Sequence, residues 1–227
     1  MISPAVRTHP DALAALRKRA AALVRAQLAP PPKLTTSAWA DDCRYLSREA
    51  SAEPGKWSTD RAPYLREVMD AFNDPLIETV AGMFASQTGK TEIINNVVGF
   101  FVDQDPAPLL VLQPTLDTAR AWSLDRLTPM LRDTPRLRGK VREPKTRDSG
   151  NTILHKLFAG GHITIVGANS AAGLAMRPIR VVLADEVDRY PPSAGTEGDP
   201  IGLAVARTAT FWNRKIGLFS SPTLEDL

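Results

Sequence analysis

The sequence predicts an α/β fold: a mostly parallel central sheet with helices on both faces, preceded by a helical N-terminal segment. Three observations carry this. From residue 76 onward, short apolar runs alternate with longer amphipathic ones, the pattern of strands joined by helical crossovers. The stretch 89–103 places Ile93, Ile94, Val97, Val98, Phe101 and Val102 on one helical face. Between 152 and 168, Gly160-Gly161 separates two β-like runs, as in a hairpin.

The elements follow in order. Residues 10–29 are rich in Ala, Leu and Arg, and Leu13, Leu16, Leu23 and Val24 form a helical stripe that starts near His9-Pro10-Asp11. Pro30-Pro31-Pro32 ends it and reads as a short stiff spacer. Residues 34–60, with Trp39, Tyr45 and Trp57 among Ser, Thr and Gly, read as a loop-rich connector with a short helix. Residues 62–73 return to helical spacing before Pro75. The strands are TVAGMFA (79–85), PLLVLQP (108–114), HITIVGA (162–168), IRVVLAD (179–185) and KIGLFSS (215–221). No internal repeat is visible. The expected division is a helical and loop segment over 1–56 and an α/β domain over 57–227.

Composition bounds the function. The 227 residues are 43% apolar and 23% charged, ordinary globular values that exclude a wholly disordered, collagen-like or coiled-coil chain. No apolar run approaches the length of a membrane span, and the N-terminus has no signal-peptide core. Cys43 stands alone, so neither a disulfide nor a cysteine zinc site is expected, and a reducing, cytosolic location fits. His9, His155 and His162 have no ligand spacing. The net charge of +3 is unevenly spread. Residues 1–33 hold Arg7, Arg17, Lys18, Arg19, Arg25 and Lys33 against Asp11 alone. Residues 132–147 hold Arg132, Arg136, Arg138, Lys140, Arg142, Lys145 and Arg147 against Asp133 and Glu143. Such runs are either solvated segments or contacts for a polyanion, with 132–147 the expected DNA-facing loop.

Ala85-Ser86-Gln87-Thr88-Gly89-Lys90-Thr91 follows an apolar strand and opens an amphipathic helix. That is the setting of a phosphate-binding loop. Its backbone N–H groups and the helix N-terminus face phosphates, Lys90 reaches the β and γ oxygens, and the Thr91 hydroxyl ligates Mg²⁺. Position 84 is Phe rather than the Gly of the full pattern, so the match is G-K-T in the right surroundings. The competing reading is an ordinary helix start with an exposed lysine. Val181 to Ala184 then lead a buried strand into Asp185-Glu186. Two adjacent acids at a strand end are poor core residues. In an ATPase of this type the first holds Mg²⁺ and the second polarises the attacking water. The span from Lys90 to Asp185 leaves room for an additional strand, which assigns the fold to the additional-strand (RecA-like) P-loop NTPases. Ser220-Ser221-Pro222 ends the next strand with hydroxyls that can sense a γ-phosphate or its water. Arg177 and Arg180 precede the acidic strand, and either reading stands for Arg177: an arginine finger for a neighbouring subunit or a surface cation. Asn169 and Ser170 fall near the same sheet end. Tyr64 and Trp57 are candidates to stack on adenine, or core residues.

Taken together, S-Q-T-G-K-T-E (86–92), L-L-V-L-Q-P-T (109–115), P-I-R-V-V-L-A-D-E-V-D-R-Y-P (178–191), F-S-S-P-T (219–223) and the upstream P-Y-L-R-E-V-M-D-A-F-N-D-P (63–75) resemble the ATPase domain of GpA-type phage terminase large subunits, the motors of lambda-like tailed phages. The resemblance spans roughly 57–223. It implies an ATP hydrolase that pulls double-stranded DNA into a procapsid. By position it gives Ser86 to Thr91 to the phosphate loop, Lys90 and Thr91 to phosphate and Mg²⁺, Asp185 to the metal and Glu186 to water activation. It also gives Ser220 and Ser221 to coupling, Tyr64 to the adenine region and Arg177 to an intersubunit finger. The implied cofactors are ATP and Mg²⁺. The implied partners are double-stranded DNA, a terminase small subunit, the portal of the procapsid and further copies in a ring, in the host cytoplasm. Family members resemble two-part enzymes with a following nuclease domain, and nuclease activity is not expected from these residues. Two other readings remain: a nucleotide-binding or assembly module without turnover, and a helicase-like DNA-dependent ATPase.

Overall fold

The computed structural model of the chain describes residues 14–21, 34–141, 151–170, 173 and 177–222. The chain divides into two units, Met1–Lys33 and Leu34–Leu227. In the first, residues 14–21 form an exposed helix, α1. The rest of the predicted leader helix lies outside the described residues.

The second unit opens with helix α2 (Thr36–Cys43), capped by the Thr35 side chain on Ala38 N–H. A two-stranded antiparallel sheet follows, β1 (Tyr45–Leu46) with β2 (Gly55–Lys56), then helix α3 (Leu65–Asp70). The main sheet comprises β3 (Thr79–Met83), β4 (Pro108–Gln113), β5 (His155–Phe158), β6 (Gly161–Gly167), β7 (Val181–Asp185) and β8 (Lys215–Ser220). Its order is β3-β8-β7-β4-β6-β5, parallel throughout except for β5 against β6. That pair is the hairpin expected around Gly160, whose φ of 85° suits the turn. Helix α4 (Lys90–Asp103) follows β3, and α5 (Leu116–Trp122) follows β4. One turn of π-helix (Ser123–Leu127) joins α5 to α6 (Thr128–Asp133), and α7 (Pro200–Ala206) precedes β8.

The strand period of two divides the core into two faces. Leu109, Val111, Val181 and Leu183 point into the larger cluster with α2 to α6, including Trp39, Ile93, Val97 and Phe101. Leu110, Leu112, Val182 and Ala184 point the other way, toward Ala194 in the loop before α7 and Ala204 on it. β4 and β7 are therefore apolar at successive positions because both faces are covered. β3 differs. Its run reads as apolar, yet it is outermost among the described strands, and Met83 is 77% exposed.

The connector 34–60 is more ordered than its composition suggests. Trp39 is fully buried against α4, where Gly99 makes room: a Cβ there would lie 2.2 Å from the indole. The Trp39 indole N–H donates to Asp103, the last residue of α4, at 2.9 Å. Cys43 is buried as well, and burial pushes its thiol up to about 11, so it is a packing residue.

Asp103 changes the reading of the basic run. Its side chain is 0% exposed and also accepts from Gln104 and from Arg136 Nε at 3.3 Å, with Lys140 Nζ at 2.6 Å. Arg132 pairs with Glu49 and Asp133. Three of the cations expected to meet DNA are thus held by carboxylates of the protein. Arg142, Lys145 and Arg147 lie outside the described residues. Burial alone raises the Asp103 carboxyl, but the hydrogen bonds from Lys140, Gln104 and Trp39 together outweigh it and hold the pKa below the ordinary aspartate value. A lowered folded pKa gives stability that is present above the unfolded pKa and lost as pH falls through the folded one. Asp103→Asn should therefore lower Tm at pH 7 by several degrees, and the gap to the unmodified chain should close below about pH 4. Melting curves followed by circular dichroism between pH 3 and 7 check this; a gap independent of pH contradicts it.

Candidate active site

The parallel register brings the carboxyl ends of β3, β8 and β7 together, with Met83 opposite Ser220 and Asp185 opposite Phe219. The topology puts β8 between the strand before the G-K-T loop and the acidic strand. The additional strand is thus one that follows the acidic strand in sequence. Chain segments far apart in sequence end side by side, at the place where open α/β sheets bind ligands.

The turn 85–89 begins the site. Gln87 and Gly89 both have positive φ, 61° and 93°. At Gly89 the need is double, because a Cβ would also press to 2.9 Å from Leu65 Cδ1 of α3. The Thr88 hydroxyl donates to the Ala85 carbonyl at 2.7 Å, closing the turn over the start of α4. Tyr64 donates its hydroxyl to the Thr88 carbonyl at 2.9 Å while its ring stays exposed beside the loop. Ser86 and Gln87 are exposed, and Thr91 is half-buried in the first turn of α4.

Lys90 is not the exposed lysine of an ordinary helix start. It is buried, and its Nζ lies 2.6 Å from Glu186 Oε1, 3.3 Å from Asp185 Oδ1 and 3.2 Å from Ser221 Oγ. Four residues from three separate motifs thus meet at one ammonium. Asp185 is 4% exposed. Burial pushes its carboxyl up, Lys90 pulls it down, Glu186 pushes it up again, and the net result is a raised pKa. Glu186 has a φ of 55°, rare for a residue with a side chain, and the turn Val187–Arg189 follows it. Ser220 is not on the lysine; it exchanges hydrogen bonds with Asp188 in that turn.

Sequence reasoning gave no role to Gln113, at the end of β4. Its amide donates to Asp185 Oδ2 at 3.5 Å. Tyr190 donates to the Leu112 carbonyl at 3.0 Å, and burial and then the Asp185 charge push its phenol well up, so it stays protonated. Among the other candidates, Trp57 is a core residue, bonded to Thr59 and covered by the Arg44 guanidinium. Arg177 is apart from the lysine cluster. It is exposed and bonds His155 Nε2 at 2.8 Å on β5, the strand farthest from β3 in the sheet order. Ser170 lines the same side pocket as Arg177.

The donor set suits a hard divalent cation. Asp185 Oδ1 is buried, with the Lys90 ammonium at 3.3 Å its one close partner among the described residues. The Thr91 hydroxyl, in the first turn of α4, is a second oxygen donor. Among the described residues no group of three or more His, Cys, Asp and Glu could enclose a metal. Two protein oxygens are the number Mg²⁺ takes where it keeps water and is otherwise held by substrate phosphates.

Residues 51–227 match the family described as "Phage terminase large subunit gpA, ATPase domain". The chain belongs to this family. It is 28% identical over 188 residues to the terminase large subunit of Enterobacteria phage P21, covering 82% of this chain and 29% of that protein. It is 25% identical over 203 residues to the terminase large subunit of Escherichia phage lambda, covering 88% and 31%. The chain therefore spans about a third of the length of these curated relatives. Among solved structures, the Thermus phage P74-26 large terminase ATPase domain aligns with a TM-score of 0.47 and 15% identity, over 64% of this chain and 60% of that one. An ATPase domain implies nucleotide binding, and the terminase family is one of phage proteins. Trp39 and Arg44, which grip α4, precede the residues that match the terminase family.

Proposed function

We propose that this chain is the motor part of a terminase large subunit, hydrolysing ATP to move double-stranded DNA into a procapsid. The observation that supports it most is the meeting of Lys90, Asp185, Glu186 and Ser221 at the carboxyl end of the sheet. In this reading Ser86 to Lys90 cradle the phosphates at the N-terminus of α4. Lys90 moves from the acids to the β and γ oxygens, which frees Glu186 to take a proton from the attacking water. Thr91 and Asp185 would hold Mg²⁺, which when bound neutralises charge on the β- and γ-phosphates. Tyr64 offers its exposed ring to adenine. Ser221 leaves Lys90 when phosphate arrives, and Ser220 passes the change to Asp188.

Arg177 is proposed to serve a neighbouring copy's nucleotide in a ring, because its own Lys90 is out of reach across the sheet. The partners are the DNA duplex, a terminase small subunit and the portal of the procapsid, in the host cytoplasm. No helix of the described residues is long and apolar enough to cross a membrane. Nuclease chemistry is not assigned to these residues.

The test is phosphate release by the purified chain with Mg²⁺, duplex DNA and partner proteins, beside Lys90→Ala. Turnover should fall about 10²-fold or more in the variant, the scale of losing one phosphate-stabilising group. Equal rates would sink the ATPase reading and favour an assembly module. Strand separation of a duplex substrate would favour a helicase instead.

A further inference from the structure

We infer that Arg44 is a positioning residue of the nucleotide site: it neutralises and holds aside a carboxylate in the first turn of the phosphate-binding helix. This rests on the reading of that turn as a phosphate site. The carboxylate is Glu92, two residues after Lys90. A helix N-terminus attracts anions through its unpaired N–H groups and its dipole. An acid in the first turn satisfies the same field and would repel an incoming triphosphate. Here the acid is occupied. Arg44 Nη2 lies 2.5 Å from Glu92 Oε2, and Asn95 Nδ2 donates to Oε1 at 3.2 Å.

Arg44 is built in for this. It follows the end of α2, is 3% exposed, and donates its other Nη to Asn96 Oδ1, one turn along α4. Its guanidinium lies 5.4 Å from the Trp57 ring centroid. A buried charge with a planar fork and a stacking surface is held in one geometry, which a flexible lysine would not match. A plain structural staple would need no charge on Glu92. The difference between the two roles is therefore electrostatic and can be measured.

The experiment titrates the 227-residue chain with ATP carrying a fluorescent ribose label, in the presence of Mg²⁺. Arg44→Met uncovers the Glu92 charge and should raise Kd roughly tenfold, the scale of one unpaired charge near a helix N-terminus. Glu92→Gln should bind as tightly as the unmodified chain or more tightly. Arg44→Met with Glu92→Gln should return Kd to within about twofold, because both charges leave together. A double variant as weak as Arg44→Met, or an Arg44→Met chain that binds normally, overturns the inference. If Arg44→Met alone does not fold, the double variant and Glu92→Gln decide: normal Kd in both supports it, and a tenfold loss in either overturns it. An unmodified chain that binds no nucleotide overturns both this inference and the proposed function.

Discussion

Glu186→Gln should cut ATP turnover by about 10²- to 10⁴-fold, the usual contribution of a positioned general base. The labelled nucleotide should still bind within about threefold of the unmodified Kd. Glutamine keeps the shape of glutamate and can still accept from Lys90, so the geometry around the lysine survives while the basic oxygen is lost. Two features of the fold single out this residue. Its φ of 55° costs energy that Gly would not incur, and such strain persists only where the surroundings fix the backbone. Its side chain is also partly exposed, unlike Asp185; Oε1 holds Lys90 while Oε2, itself buried, lies 3.5 Å from Arg189 Nε, so the proposed base is released when Lys90 turns to phosphate. Rapid-mix measurement of phosphate release, with nucleotide binding measured in parallel, separates the two effects. A loss of binding equal to the loss of turnover would make Glu186 a structural partner of Lys90 and not a base.

The lysine cluster was legible in the sequence because each part is local. A strand followed by G-K-T, a strand followed by Asp-Glu and a strand followed by Ser-Ser each place polar groups at a carboxyl end. Parallel pairing then aligns those ends without further information. What escaped was held by pairs distant in sequence. Gln113 reaches Asp185 across 72 positions, Arg44 reaches Asn96 across 52, and Trp39 reaches Asp103 across 64. No spacing rule predicts them, since they exist only after α2, α4 and β4 have packed. The basic run is less free than its composition suggests for the same reason. Composition counts cations, whereas Asp103, the counter-ion of two of them, lies on another element and is invisible until the fold is known.

Asp185→Asn should stabilise the free chain while weakening its hold on nucleotide with Mg²⁺. Among the described residues Lys90 is the one buried cation facing both carboxylates here, and the second cation, Arg189, is exposed and pairs with Glu186 alone, so Asp185 is left with the weaker compensation. The raised pKa of Asp185 expresses this: burial comes first among its causes, Lys90 only partly offsets it, and Glu186 adds to it. For a carboxyl whose folded pKa lies above the unfolded one, the favourable contribution is full below the unfolded value and is lost as pH rises through the folded value. At pH 7 the charged form therefore costs stability, and the neutral isostere removes that cost. Asparagine can turn its oxygen to Lys90 and its amide N–H to Gln113 Oε1 once the Gln113 amide flips, and Lys90 keeps Glu186 as a partner. Removing about 1 kcal/mol of such a penalty would raise Tm by roughly 2–4 °C in a chain of this size. The two proteins should converge as the solution is acidified toward the ordinary aspartate pKa. Affinity for nucleotide with Mg²⁺ should drop by about 10- to 100-fold, the scale seen when a group that tunes a metal site is removed. Melting curves at pH 4 and pH 7, with titrations in Mg²⁺ and in EDTA, read both effects. A variant that melts lower than the unmodified chain at pH 7 would mean that the Lys90 attraction outweighs burial, and that Asp185 stabilises the fold instead of being held at its expense.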